Sequence, residues 1–110
     1  MFNKMSGYGI KPIKSLGQNF LVDKNTINKI ITAADITGEN LVIEVGPGAG
    51  SLTGELAFRA GNLAAVEIDR NLIPLLNDIM KGSDNVEIIH ADILKIDIKK
   101  DMLDKNPEYN

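Results

Sequence analysis

The chain has 110 residues, no cysteine and a formal net charge of −3, a length that fits one domain and excludes two stacked ones. Leu, Ile, Val and Phe supply 34 of the residues, which excludes disorder along the whole length; the missing cysteine excludes a disulfide framework, a thiolate zinc site and a cysteine nucleophile. No run approaches the roughly 18 apolar residues of a membrane span and no apolar block with a cleavage site opens the chain, so the expectation is a soluble, cytoplasmic protein without a membrane partner.

Charge is spread unevenly. Lys4, Lys11 and Lys14 precede the first acid, Asp23, so residues 1–22 read as a basic arm and entry turn ahead of an acidic body spanning 23–110. Such an arm fits either a solvated terminus or a contact with nucleic acid. From Asp23, a candidate N-cap, Ile27, Ile30, Ile31 and Ala34 repeat at helical spacing and Gly38 closes the segment. Leu41 to Val45 is a short apolar run between Asn40 and Gly46, the pattern of a strand buried on both faces. A second helix follows, with Ser51 as its cap, Leu52, Leu56 and Phe58 as its apolar contacts, and Gly61 as the left-handed residue past its end. Leu63 to Glu67 repeats the strand pattern. Asp69 then caps a helix through Leu72, Leu75, Leu76 and Ile79, in whose first turn Pro74 must lie, and Val86 to Ile89 is a third strand ending at His90-Ala91-Asp92.

Strands and helices alternating with short connections predict a parallel α/β sheet, and right-handed crossovers set its strands in the order 3-2-1. Residues 93–110 carry weak helical spacing and then loop chemistry around Pro107, with no fourth strand. The next strand of such a sheet would lie against the first, so the expectation is the N-terminal half of a larger domain, with the edge of Leu41 to Val45 left open as a surface for self-association.

Three glycines, Gly46, Gly48 and Gly50, sit where the first strand turns into a helix. Their spacing departs from the dinucleotide fingerprint G-x-G-x-x-G, which would need glycine or alanine where Ser51 stands. A turn of this kind lets backbone approach a nucleotide-like ligand and aims a helix N-terminus at it. Glu67, at the end of the second strand, is placed to accept hydrogen bonds from a ribose diol, and Asp92, just beyond the third, to accept one from an adenine amine. Either acid alone reads equally well as a solvated strand-end carboxylate; together they outline an adenosine site. Asp69 reads as a cap, and His90, with no partner ligands nearby in sequence, as a surface or partly buried histidine and not a metal ligand.

Lys-Ser-Leu-Gly-Gln-Asn-Phe-Leu (14–21), Val-Ile-Glu-Val-Gly-Pro-Gly-Ala-Gly-Ser-Leu-Thr (42–53), Val-Glu-Ile-Asp (66–69) and His-Ala-Asp-Ile-Leu (90–94) together resemble the ribosomal RNA adenine N6,N6-dimethyltransferases. The likeness covers about residues 11–98, and its first motif looks more like the small-subunit enzymes than the large-subunit enzymes of macrolide resistance. The resemblance implies a Rossmann-like S-adenosylmethionine-dependent methyltransferase fold. It also implies that Asn19 and Leu21 border the cofactor pocket, that Gly46 lies under the methionine part, and that Glu67 and Asp92 hold the ribose and the adenine amine. The implied reaction is double methylation of N6 on two adjacent adenosines of small-subunit ribosomal RNA, with the assembling small subunit as partner. The family's Asn/Asp-Leu-Pro-Tyr/Phe motif, which orients the target base, does not occur in these residues, so no catalytic residue is assigned and the chain is expected to be inactive alone. Two further readings stand beside it: a nicotinamide-dependent oxidoreductase, disfavoured by Ser51, and a noncatalytic RNA-binding or assembly factor on the same fold.

Overall fold

The computed structural model describes residues 24–109. The basic arm, Asn19, Leu21 and the candidate cap Asp23 lie outside them. In chain order the described elements are α1 (Lys24–Ala34), β1 (Leu41–Val45), α2 (Thr53–Arg59), β2 (Asn62–Glu67), a 3₁₀ turn (Arg70–Leu72) running into α3 (Ile73–Met80), and β3 (Val86–His90). Short turns at Ile93–Lys95, Lys99–Leu103 and Pro107–Tyr109 follow. All three strands are parallel, with β2 in the centre, which is the order expected from right-handed crossovers.

The register explains which side chains share a face. Val42, Leu63 and Val86 are partners across the sheet. They pack with Ile27 and Ile31 of α1 and with Leu56 and Ala57 of α2. On the same face Ile88 meets Leu72, Leu75, Leu76 and Ile79 around α3. Leu75 and Leu76 are fully buried, each worth about 1.5–3 kcal/mol of transfer free energy. The helices thus cover one face. The other, formed by Ile43, Ala64, Val66 and Ile89, is met by the C-terminal turns through Ile93, Ile96 and the buried Met102.

Local chemistry accounts for the ends of the elements. Asp69 accepts from the Asn71 N–H at 2.9 Å and so starts the turn that leads into α3. Pro74 stands in the first turn of α3, where a missing N–H leaves no bond unmade. Four expectations need correction. β1 is buried less than a two-sided strand, with Val45 58% exposed, because among the described residues it is the edge strand and its second face meets only the C-terminal turns. α2 begins at Thr53 with Leu52 in the cap position, one residue later than Ser51, and Leu52 offers no side-chain hydrogen bond there. Phe58 is 84% exposed, since Thr53, Leu56, Ala57 and Ala60 form the buried stripe of that helix.

Gly61 is the fourth. Its backbone is not left-handed; glycine is required there by close approach, for a Cβ would meet the Gly38 carbonyl oxygen and the Tyr109 hydroxyl. Gly61 and Asn62 also both donate to the Asn40 carbonyl, at 3.0 and 3.2 Å. Gly61→Ala is therefore expected to destabilise the fold by about 1–3 kcal/mol through overpacking. Reduction of chain entropy alone would give a small gain instead, so the sign of the shift in a urea unfolding curve decides between them.

Candidate functional site

Gly46, Gly48 and Gly50 have φ of 70°, 61° and 86°, a region that side chains with a Cβ enter only at a cost. These three residues carry the chain from the end of β1 into α2 in a tight reversal. Gly46 extends the sheet ladder by donating to the Val66 carbonyl at 2.9 Å, and Gly50 closes a turn on the Pro47 carbonyl at 2.9 Å. Beyond Gly46 the space is open, with nothing within 4 Å of where a Cβ would stand. A flat ligand can therefore approach the backbone at that point.

Glu67 ends β2 and is only 4% exposed. Its Oε1 accepts from the Gly48 N–H at 3.0 Å and its Oε2 from the Asp69 N–H at 3.0 Å. Burying a carboxylate costs free energy unless donors meet its oxygens, as these two do. Each oxygen keeps a further lone pair, so the group can still accept from a ligand hydroxyl. Asp92 sits after β3 and accepts from the Leu94 N–H at 3.0 Å, capping the turn Ile93–Lys95. Glu67 and His90 are partners in the sheet register, and the Ala91 N–H extends that pairing to the Glu67 carbonyl at 3.1 Å. The structure thus brings the glycine turn and Glu67 into direct contact and sets Asp92 at the end of the neighbouring strand.

A third acid was missed by sequence reading. Glu44 is 8% exposed, and its Oε1 accepts from the Thr53 hydroxyl at 2.7 Å. This bond spans the base of the glycine turn and ties β1 to the first residue of α2. The signal was available: one charge inside the apolar run Leu41 to Val45 needs a buried partner. Burial pushes the Glu44 carboxyl above its ordinary value of 4.5, the Thr53 hydrogen bond pulls it back, and the charge of Glu67 adds to the rise.

Elsewhere the described residues offer less. They contain no group of three or more His, Asp or Glu side chains able to hold a metal ion, and no helix among them is long and apolar enough to cross a membrane. A cavity of about 170 Å³ lined by Leu41, Asn62, Leu63, Asp84, Asn85 and Glu87 lies at the opposite, N-terminal end of the strands. Ligands of open α/β sheets sit outside the carboxyl ends, where Gly46, Glu67 and Asp92 are.

A parallel sheet with a glycine turn after its first strand and acids at the ends of its second and third defines a Rossmann-like domain, and the solved structures it superposes on give it the methyltransferase form of that fold. Comparison with known proteins narrows this. The model of the ribosomal RNA adenine dimethylase family matches residues 10–110, and the chain belongs to that family. The ribosomal RNA small subunit methyltransferase A of Pelotomaculum thermopropionicum is 54% identical over 96 residues, covering 87% of this chain and 32% of the relative. Among solved structures, the 23S rRNA methyltransferase ErmE superposes with a TM-score of 0.68 at 40% identity, covering 72% of this chain and 32% of that one. A dimethyladenosine transferase from Plasmodium falciparum gives 0.66 at 30% identity, covering 72% and 30%. The chain spans about a third of the length of the curated relatives it matches.

The Glu44 environment has a consequence for stability against pH. A carboxyl raised in the folded state keeps its proton longer than in the unfolded chain, so folding stability falls as pH rises from below about 4.5 through the raised folded value. Glu44→Gln, which can still accept from Thr53, is expected to gain stability relative to wild type across that interval, and Thr53→Val to steepen the wild-type loss. Urea unfolding at stepped pH measures this; parallel wild-type and Glu44→Gln profiles would contradict the assignment.

Proposed function

We propose that this chain is the cofactor-binding part of a ribosomal RNA adenine N6-dimethyltransferase acting on the small subunit. The observation that carries the reading is the buried Glu67 carboxylate, held by backbone N–H groups on both oxygens at the end of β2. A rigid acceptor of this kind suits the two hydroxyls of a ribose. Beside it, Gly46 leaves open backbone on which the methionine part can lie, and Asp92 offers an acceptor to the adenine amine. Asn19 and Leu21 are proposed at the rim of the same pocket. The surrounding acids Glu44, Glu67, Asp69 and Asp92 also favour a ligand with positive charge, and S-adenosylmethionine carries a sulfonium.

When bound, S-adenosylmethionine supplies a methyl group activated for in-line displacement by the adenine N6. The residues of this chain bind and orient. Glu67 fixes the sugar, the glycine turn brings backbone close, and the Glu44–Thr53 bond keeps that turn in place. Orientation of the flipped base and of its weakly nucleophilic amine falls to an Asn/Asp-Leu-Pro-Tyr/Phe motif that is absent from this sequence. The basic arm with Lys4, Lys11 and Lys14 is proposed to contact RNA, in a cytoplasmic setting. The higher identity to a small-subunit enzyme, 54% against 40% for the large-subunit enzyme ErmE, favours the small subunit as substrate.

An amide NMR titration of the labelled chain with S-adenosylmethionine tests the reading. Shifts centred on Gly46, Glu67 and Asp92 are expected, with Glu67→Ala weakening the affinity by about tenfold or more, the loss of two hydrogen bonds to a charged acceptor. Tighter binding of NAD than of S-adenosylmethionine would overturn it. These 110 residues by themselves are expected to transfer no methyl group to ribosomal RNA, and transfer to adenosine N6 would sink that part of the proposal.

The outer edge of β1 has no strand partner among the described residues, and it is proposed as a pairing edge for a second copy. Sedimentation at rising concentration is expected to show dimer; a monomer throughout removes this reading.

A further inference from the structure

His90 closes β3 beside Glu67, and the mechanism above gives it nothing to do. Its Nε2 lies 3.1 Å from the Ile68 carbonyl oxygen. A carbonyl only accepts, so the ring donates from Nε2. The carbonyl of Ile68 and the N–H of Asp69 belong to one planar peptide group, and that N–H is the donor to Glu67 Oε2 at 3.0 Å. One rigid amide therefore joins the imidazole to the carboxylate.

We infer that His90 is a positioning residue for Glu67, acting through the Ile68–Asp69 peptide to aim the carboxylate at the hydroxyls of a bound ribose. His90 is exposed, and two facts give its contact a directed role. The peptide follows the last residue of β2, where the Ala91–Glu67 bond is the end of the β2–β3 ladder, so no further strand pairing fixes its plane. Glu67 is meanwhile held on its other oxygen by the glycine turn, so the peptide's orientation alone sets how the second oxygen is held. A hydrogen bond to the carbonyl also polarises the amide and strengthens the N–H as a donor. The inference deepens the proposed function and rests on it for the identity of the ligand.

The test compares the wild-type chain with His90→Phe, which keeps the bulk, and His90→Gln, whose side-chain amide can donate to the same carbonyl. Hydrogen exchange of the Asp69 amide is expected to quicken about fivefold in His90→Phe, the size of one neutral hydrogen bond, and to return to wild type in His90→Gln. The Ala91 amide, bonded to the Glu67 backbone, should be unmoved in both. Calorimetric affinity for S-adenosylmethionine should fall by a similar factor in His90→Phe, recover in His90→Gln, and show no His90 dependence in a Glu67→Ala background. Unchanged Asp69 exchange in His90→Phe, equal quickening at Ala91, or no rescue by glutamine would overturn the inference. If wild type fails to bind S-adenosylmethionine while Asp69 exchange follows residue 90 as described, the positioning role stands and the proposed cofactor falls.

Discussion

The fold's functional end depends on satisfying one buried carboxylate. Glu67 lies inside the protein at the end of β2, where an ionised group without donors is strongly disfavoured. Its two donors come from different segments: Gly48 in the turn after β1 and Asp69 in the turn after β2. The Gly48 N–H reaches it because the turn adopts left-handed backbone at residues 46, 48 and 50. The glycine pattern and the acid are thus two halves of one constraint. Beneath them, Glu44 and Thr53 pin the start of α2 to β1, so the helix leaves the turn in a fixed position.

Much of this was legible in the sequence, and the failures have physical causes. The bounds of β1 coincide with the apolar run from Leu41 to Val45, and the capping role of Asp69 follows from side-chain chemistry that acts within two residues. The positions of Glu67 and Asp92 at strand ends were legible because the end of a parallel strand is a fixed place, whatever the helices do. Phe58 was misread because size drew attention away from spacing. The buried stripe of α2 is Thr53, Leu56, Ala57 and Ala60, a regular helical repeat whose small members carry little weight in a hydrophobic pattern. Gly61 was assigned its residue type for the wrong reason, since the crowding oxygens of Gly38 and Tyr109 come from segments distant in sequence. Glu44 was read only as a strand residue, because its partner lies nine positions away across a turn.

Tertiary pairing and local pattern also carry different parts of the site. Gly46 is placed by its bond to the Val66 carbonyl, and Glu67 by the bond its own carbonyl accepts from Ala91. Both are continuations of the sheet ladder past the formal ends of the strands. The relative positions of the turn, the central acid and the segment leading to Asp92 are therefore set by backbone register, which packing of Val42, Leu63 and Val86 on one face and of Ile43, Ala64, Val66 and Ile89 on the other enforces. A one-residue slip of any strand would move its core side chains to the opposite face, so the same packing that stabilises the sheet excludes misplacement of the site.

That coupling sets where the glycine turn, Glu67 and Asp92 stand relative to one another. Each is the terminus of a strand and needs only its neighbour strand to be located, so three consecutive strands suffice to assemble glycine turn, Glu67 and Asp92. Recognition of a base flipped out of RNA makes a different demand. In the proposed function it requires groups that face the activated methyl from across the pocket, and the three described strands place none there. In the proposed function the described residues supply the cofactor-binding part, because β1, β2 and β3 together place the glycine turn, Glu67 and Asp92 at one end of the sheet.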